Sequence, residues 1–209
     1  MRVELPAEPG FLVVGGGEVM IEFIVDERGV VTRPTVVRST PPYTDMLLAA
    51  LAQWRFQPAR ASDDRVAERA VEAPITVTAI FRPPQYYNGP SLGEAPRDVG
   101  RLSGDVAYPV SVTTPPFPPL AYEGGALLYE VALNESGRLV DARTFASNGG
   151  FERAALESLL NAQFRGATHR ARPVPSVTYV LFGFRQPNTI GSLGPPSTTP
   201  PPRPVPVSR

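Results

Sequence analysis

Chemistry near neutral pH needs a titratable group, a metal ligand or an activated nucleophile, and this sequence carries few of them. His169 is its single imidazole. Cysteine is absent, so thiolate attack, disulfides and thiolate zinc sites are all excluded. All 20 basic side chains are arginine, which removes Schiff-base and lysine-nucleophile chemistry. The neighbours of His169, in Arg165-Gly166-Ala167-Thr168-His169-Arg170-Ala171-Arg172, include no carboxylate and no second histidine. That stretch reads as a solvated loop, with binding to an anionic lipid or glycan as the sharper alternative. Serine and threonine are plentiful, but none stands beside a base in sequence. Gly15-Gly16-Gly17 precedes a strand rather than a helix and is no phosphate cradle. Asp26-Glu27 and Asp63-Asp64 read as surface turn acids without calcium-loop spacing. The expectation is a non-enzyme, with no catalytic residue, no metal site and no cofactor.

Charge and composition narrow the partners. The 20 basic residues balance 20 acidic ones, leaving none of the cationic surplus that nucleic-acid binding needs. No apolar run reaches the length of a membrane-spanning helix. Met1-Arg2-Val3-Glu4-Leu5-Pro6 lacks the charged head and apolar core of a signal peptide, so the chain is either cytosolic or numbered after a removed leader. Proline and glycine, at 26 and 18 residues, are abundant enough to predict folded parts alternating with Pro-rich connectors.

The folded parts repeat. Residues 17–59 align with residues 125–167 without a gap, with identical pairs at Gly17/Gly125, Glu22/Glu130, Glu27/Glu135, Gly29/Gly137, Ser39/Ser147, Leu48/Leu156, Leu51/Leu159, Phe56/Phe164 and Ala59/Ala167. Each copy opens on period-2 alternation, Val19-x-Ile21-x-Phe23-x-Val25 and Leu127-x-Tyr129-x-Val131-x-Leu133, which predicts a strand with one buried face. Asp26-Glu27-Arg28-Gly29 and Asn134-Glu135-Ser136-Gly137 predict tight turns. Return strands follow at Val30–Arg38 and Arg138–Ala146, and Pro34 confines the first of these to a sheet edge. Helices are predicted over Asp45–Phe56, capped by Thr44 or Asp45, and over Phe151–Phe164. Their apolar stripes are Leu47, Leu48, Leu51 and Trp54 in one, and Leu156, Leu159, Leu160 and Phe164 in the other, with Pro58 and Gly166 as stops. Trp54, the sole tryptophan, reads as a core residue. A last strand closes each copy, Pro74–Phe81 and Pro175–Phe182.

The expected class is therefore α+β: two tandem small domains, each a three-stranded antiparallel sheet (strand-turn-strand-helix-strand) with one helix packed on it. The domains take residues 1–84 and 115–187. Residues 85–114 form a linker with a possible extra strand through Val106, Tyr108, Val110 and Val112, and residues 188–209 a disordered Pro-rich tail.

These residues carry a resemblance. The segment 17–31, with Val25-Asp26-x-x-Gly29, then Trp54-x-Phe56-x-Pro58-Ala59, then Pro74-Ile75-Thr76-Val77, resembles the TonB C-terminal domain family. The second copy is similar to a diverged member, keeping Gly137, Phe164 and Ala167 but carrying Ala162 and Gly166 where Trp54 and Pro58 stand. Phe117-Pro118-Pro119-Leu120-Ala121 resembles that family's opening segment. The resemblance implies a periplasmic or cell-envelope protein of a Gram-negative-type bacterium. Its domains would capture extended segments of outer-membrane or envelope proteins, such as receptor TonB boxes, by strand addition at a sheet edge. In that family the docking edge is the last strand, which implies Ile75, Val77, Ala79 and Phe81 in one copy and Val177, Tyr179 and Leu181 in the other. The alternative is a structural or regulatory envelope protein whose tandem domains self-associate or dock on another component without energy transduction; separately, the two last strands could pair with each other, which would leave neither edge free for a peptide. No membrane helix is visible and the Pro-rich tract follows the folded units, so partner binding is expected rather than energy transduction.

Overall fold

A computed structural model describes residues 2–6, 16–63, 66–82, 105–113, 115–118, 124–148 and 150–184. The proposed Pro-rich tail and most of the proposed linker lie outside the described residues. The fold is mixed α+β, with two helices among the described residues and mostly sheet. In chain order the first half contributes β1 (Gly17–Val25), β2 (Val31–Arg38), α1 (Tyr43–Leu51), a hairpin of β3 (Ala59–Asp63) and β4 (Val66–Val71), and β5 (Ala73–Phe81). A short strand β6 (Tyr108–Ser111) precedes the second half. That half holds β7 (Gly125–Leu133), β8 (Leu139–Asn148), α2 (Glu152–Leu160), β9 (Gln163–Arg165), the hairpin β10 (Ala167–His169) with β11 (Arg172–Val174), and β12 (Ser176–Phe184).

Both opening hairpins turn by the same device. The Asp26 carboxylate accepts the N–H groups of Arg28 and Val30 at 2.9 and 2.8 Å, and the Asn134 side-chain oxygen accepts those of Ser136 and Arg138 at 3.0 and 2.9 Å. Each short acceptor side chain locks a turn that glycine completes at positive φ, +79° at Gly29 and +74° at Gly137. A Cβ on Gly29 would sit 2.0 Å from the Phe56 carbonyl oxygen, so this position is restricted by space as well as by conformation.

The two halves share one six-stranded sheet in the order β2-β1-β5-β12-β7-β8. Every pairing in it is antiparallel except the central one, where β5 and β12 run parallel with Tyr179 opposite Val77 and Phe182 opposite Ile80. Mirrored order about a parallel pair places like faces of the halves on opposite sides of the sheet. Alternation along β12 makes this visible: Tyr179 and Leu181 join the core under α1, while Val180, Phe182 and Phe184 join the core under α2.

Both helices are shorter than the sequence predicts. The first ends at Leu51, and Trp54 and Phe56 fall in an extended segment in which Arg55 bridges to Arg2 and Val30. Their burial alternates with an exposed Arg55, which is strand spacing. The predicted caps are not used; Thr44 instead accepts the N–H of Thr40 at 2.9 Å. The second helix ends at Leu160, and Phe164 belongs to β9. Ala154, Ala155, Ser158 and Leu159 face its core, while Leu156 and Leu160 are exposed, so the predicted stripe was rotated. The helices stop well before Pro58 and Gly166. The hairpins β3–β4 and β10–β11 were not predicted; the second is the shorter, which accounts for the reduced spacing to the last strand.

Candidate functional site

The strands expected to offer docking edges do not. Ile75, Val77, Ala79 and Phe81 on β5, and Val177, Tyr179 and Leu181 on β12, lie on the two central strands, which hydrogen-bond each other. Each last strand needs a neighbour for its outer amides and carbonyls, and its counterpart supplies one inside the same chain. Val77, Ala79, Phe81, Tyr179 and Leu181 are buried; Ile75 is partly covered and Val177 is 40% exposed. The seam is tight. A Cβ on Gly183 would lie 2.5 Å from the Phe81 ring, so any larger residue there must push that ring aside.

The motif residues build scaffold. Trp54 is fully buried and its indole N–H donates to the Glu4 carbonyl at 2.7 Å. Phe56 packs against Phe23 and Tyr179, with ring centroids 5.4 and 5.3 Å away. Pro58 lines a surface cleft and Phe164 is half-buried against the second core.

Two outer edges remain among the described residues, and they differ. Along β2, Pro34 has no N–H to give, Arg33 sits at φ +51°, and its exposed side chain is paired with Glu72. Along β8, the ten residues Leu139–Asn148 contain no proline and no positive φ, and Val140 is 67% exposed. The outer strands of the six-stranded sheet are therefore β2 and β8, not the last strands of the two halves.

Beside β8, on the α1 side of the sheet, is a cleft of about 420 Å³. Val25, Pro58, Ile75, Phe145 and Val177 give it apolar walls, with Glu130 and Arg143 as its charges. Tyr179 donates to Glu130 Oε2 at 2.7 Å, and burial together with that carboxylate pushes the phenol well above its usual range. The Arg143 guanidinium lies 5.7 Å above the Phe145 ring. Such walls suit an extended apolar or aromatic segment. Glu130, Arg143 and Phe145 were missed in the sequence; the one signal was the Glu22/Glu130 identity in the repeat.

His169 is exposed beside the positive-φ residues Arg170 and Ala171 at the β10–β11 turn. Among the described residues, no three acidic or histidine side chains cluster as metal ligands. No described helix is long and apolar enough to cross a membrane. Fold and site together define a mixed α+β protein whose six-stranded sheet carries one helix on each face. A scan against models of known protein families finds no match, and no curated protein is similar enough to count as a relative.

Proposed function

We propose that this chain is a non-catalytic cell-envelope interaction protein, built from two tandem units that resemble the periplasmic C-terminal domain of TonB energy transducers. It captures extended peptide segments, such as the TonB boxes of outer-membrane receptors, by adding them to the sheet at β8. The observation that carries this reading is a contrast between the edges: both ladders carry register shifts, but β8 lacks the proline and the positive-φ residue that interrupt β2. The repeated order of elements and the matching turns at Gly29 and Gly137 support the resemblance. Each main-chain hydrogen bond to an added strand contributes about 0.5–1.5 kcal/mol net, and alternate side chains supply selectivity.

Titration with labelled receptor-plug peptides, read by fluorescence anisotropy, tests it together with amide hydrogen exchange. The expected result is saturation below about 1 mM, the weak end of specific binding, with slowed exchange along 139–148 and none along 31–38. Absence of binding, or protection at β2 instead, overturns it. The same open edge and exposed Val140 favour a second reading, a structural protein whose copies pair β8 to β8. A molecular mass that doubles with concentration, and falls when peptide is added, supports that reading.

A further inference from the structure

On the α2 side, the back of the first half is closed by the chain itself. Val106, Ala107 and Tyr108 are buried there, and Val106 and Tyr108 pack on Met20 beside Val37. The Thr76 hydroxyl donates to the Ala107 carbonyl at 2.5 Å. In the β6–β9 ladder Tyr108 stands opposite Arg165, whose guanidinium lies 5.7 Å over the Tyr108 ring and donates to its hydroxyl at 3.1 Å.

The repeat places counterparts of several residues around that groove on the other face, while the counterpart of Met20, Leu128, is buried in the core. Arg165 corresponds to Gln57, Val37 to Phe145, Glu22 to Glu130 and Thr76 to Val177. All four counterparts line the 420 Å³ cleft. Where Arg165 has Tyr108 beside it in a ladder, Gln57 makes no hydrogen bond to any described residue. One end of this groove is taken by the chain itself, since Arg2 pairs with Arg55 as Ser111 does with Gln163; the cleft is the remaining stretch, which residues 106–108 fill in the twin and no described residue fills here.

We propose that this cleft is a second peptide site, which binds an extended segment of a partner protein with the Val-Ala-Tyr pattern of residues 106–108. The partner's main chain runs alongside Gln57, and its aromatic ring seats between Phe145 and Val177. The site needs no pairing at β8, so it stands apart from the proposed edge.

The probe is a synthetic peptide with the sequence of residues 105–113, titrated into the full isotope-labelled chain and followed by amide shifts. Saturable shifts at Gln57, Val177 and Tyr179 are expected, with a loss of about tenfold or more when the peptide's tyrosine becomes alanine, the scale of an aromatic anchor. Val177→Arg, at a partly exposed position, is expected to weaken binding by a similar factor without lowering the melting temperature. Wild-type-like binding by V177R, or equal binding of the two peptides, overturns the proposal. Shifts confined to 139–148 overturn the cleft but leave edge pairing standing; no shifts anywhere at millimolar peptide overturn the cleft alone, since receptor peptides test the edge separately. Binding that requires removal of residues 188–209 assigns the groove to the chain's own C-terminal segment and overturns the partner reading.

Discussion

In the first half of the sheet the space under α1 is filled by Trp54, fully buried and tied to Glu4, with Tyr43 stacked on Phe81 at 4.3 Å. In the second half Ala162 stands at the tryptophan's position. There Phe151, the counterpart of Tyr43, stacks on Phe184 at 4.2 Å, with Phe117 edge-on to both. The outer surfaces diverge in the opposite sense. The first half has its back groove filled by β6 and its edge interrupted by Pro34; the second keeps a cleft in the matching stretch and an edge strand without proline. Under the proposed reading the first half serves as scaffold and the second presents surface, although both follow one sequence pattern. The lesson is that a repeat conserves the buried face that makes a unit fold, while the exposed face and edges are free to differ.

The largest test of that division is Trp54→Ala. Removing a fully buried indole and its hydrogen bond is expected to cost about 3–5 kcal/mol, read by denaturant unfolding. Phe164→Ala, at the half-buried counterpart of Phe56, is expected to cost clearly less, and equal losses would break the comparison. A smaller effect is expected at the seam, where Gly183→Ala forces the Phe81 ring aside at a cost of about 1–3 kcal/mol. Since β5·β12 joins the halves through main-chain bonds, calorimetry is expected to show one transition in both the wild type and this variant. Two separate transitions in the wild type would mean that the halves are independent.

The smallest effect sharpens the comparison through pH. Ser39 shares a 2.9 Å hydrogen bond with Thr44, whereas its repeat partner Ser147 donates to the Glu152 carboxylate. That bond holds the Glu152 carboxyl below its usual range. A depressed folded pKa contributes stability above the unfolded value, lost as pH falls through the folded one. Ser147→Ala is therefore expected to destabilise by less than about 1 kcal/mol, as for exposed pairs, at neutral pH and by progressively less on acidification below about 4. Ser39→Ala is expected to show no such pH dependence, as followed by thermal melts across that range.

The strands of the large sheet were readable because alternation such as Val19-Ile21-Phe23-Val25 puts one apolar row on one face, although Met20 and Glu22 on the other face of this strand are buried too. Pro34 announced an outer strand for the same local reason, and β2 is outermost. The helix ends were not readable. Leu51, Trp54 and Phe56 fit a helical stripe as well as a strand, and the choice was made by Arg55 pairing with Arg2, more than fifty residues away. The hairpins after each helix carry too little apolar alternation to be seen. The candidate site was displaced because the register of two strands about a hundred residues apart leaves no mark in either segment.

From the sequence alone came the repeat, the Asx–Gly turns, the strand–helix order and the poverty of catalytic groups, all of which depend on neighbours a few residues apart. Tertiary structure alone decided that the last strands satisfy one another in parallel, that the helices take opposite faces, and that one groove is filled while part of its twin stays open. Those outcomes depend on which main-chain groups satisfy one another across the molecule, and a linear pattern states what each strand needs without stating which partner supplies it.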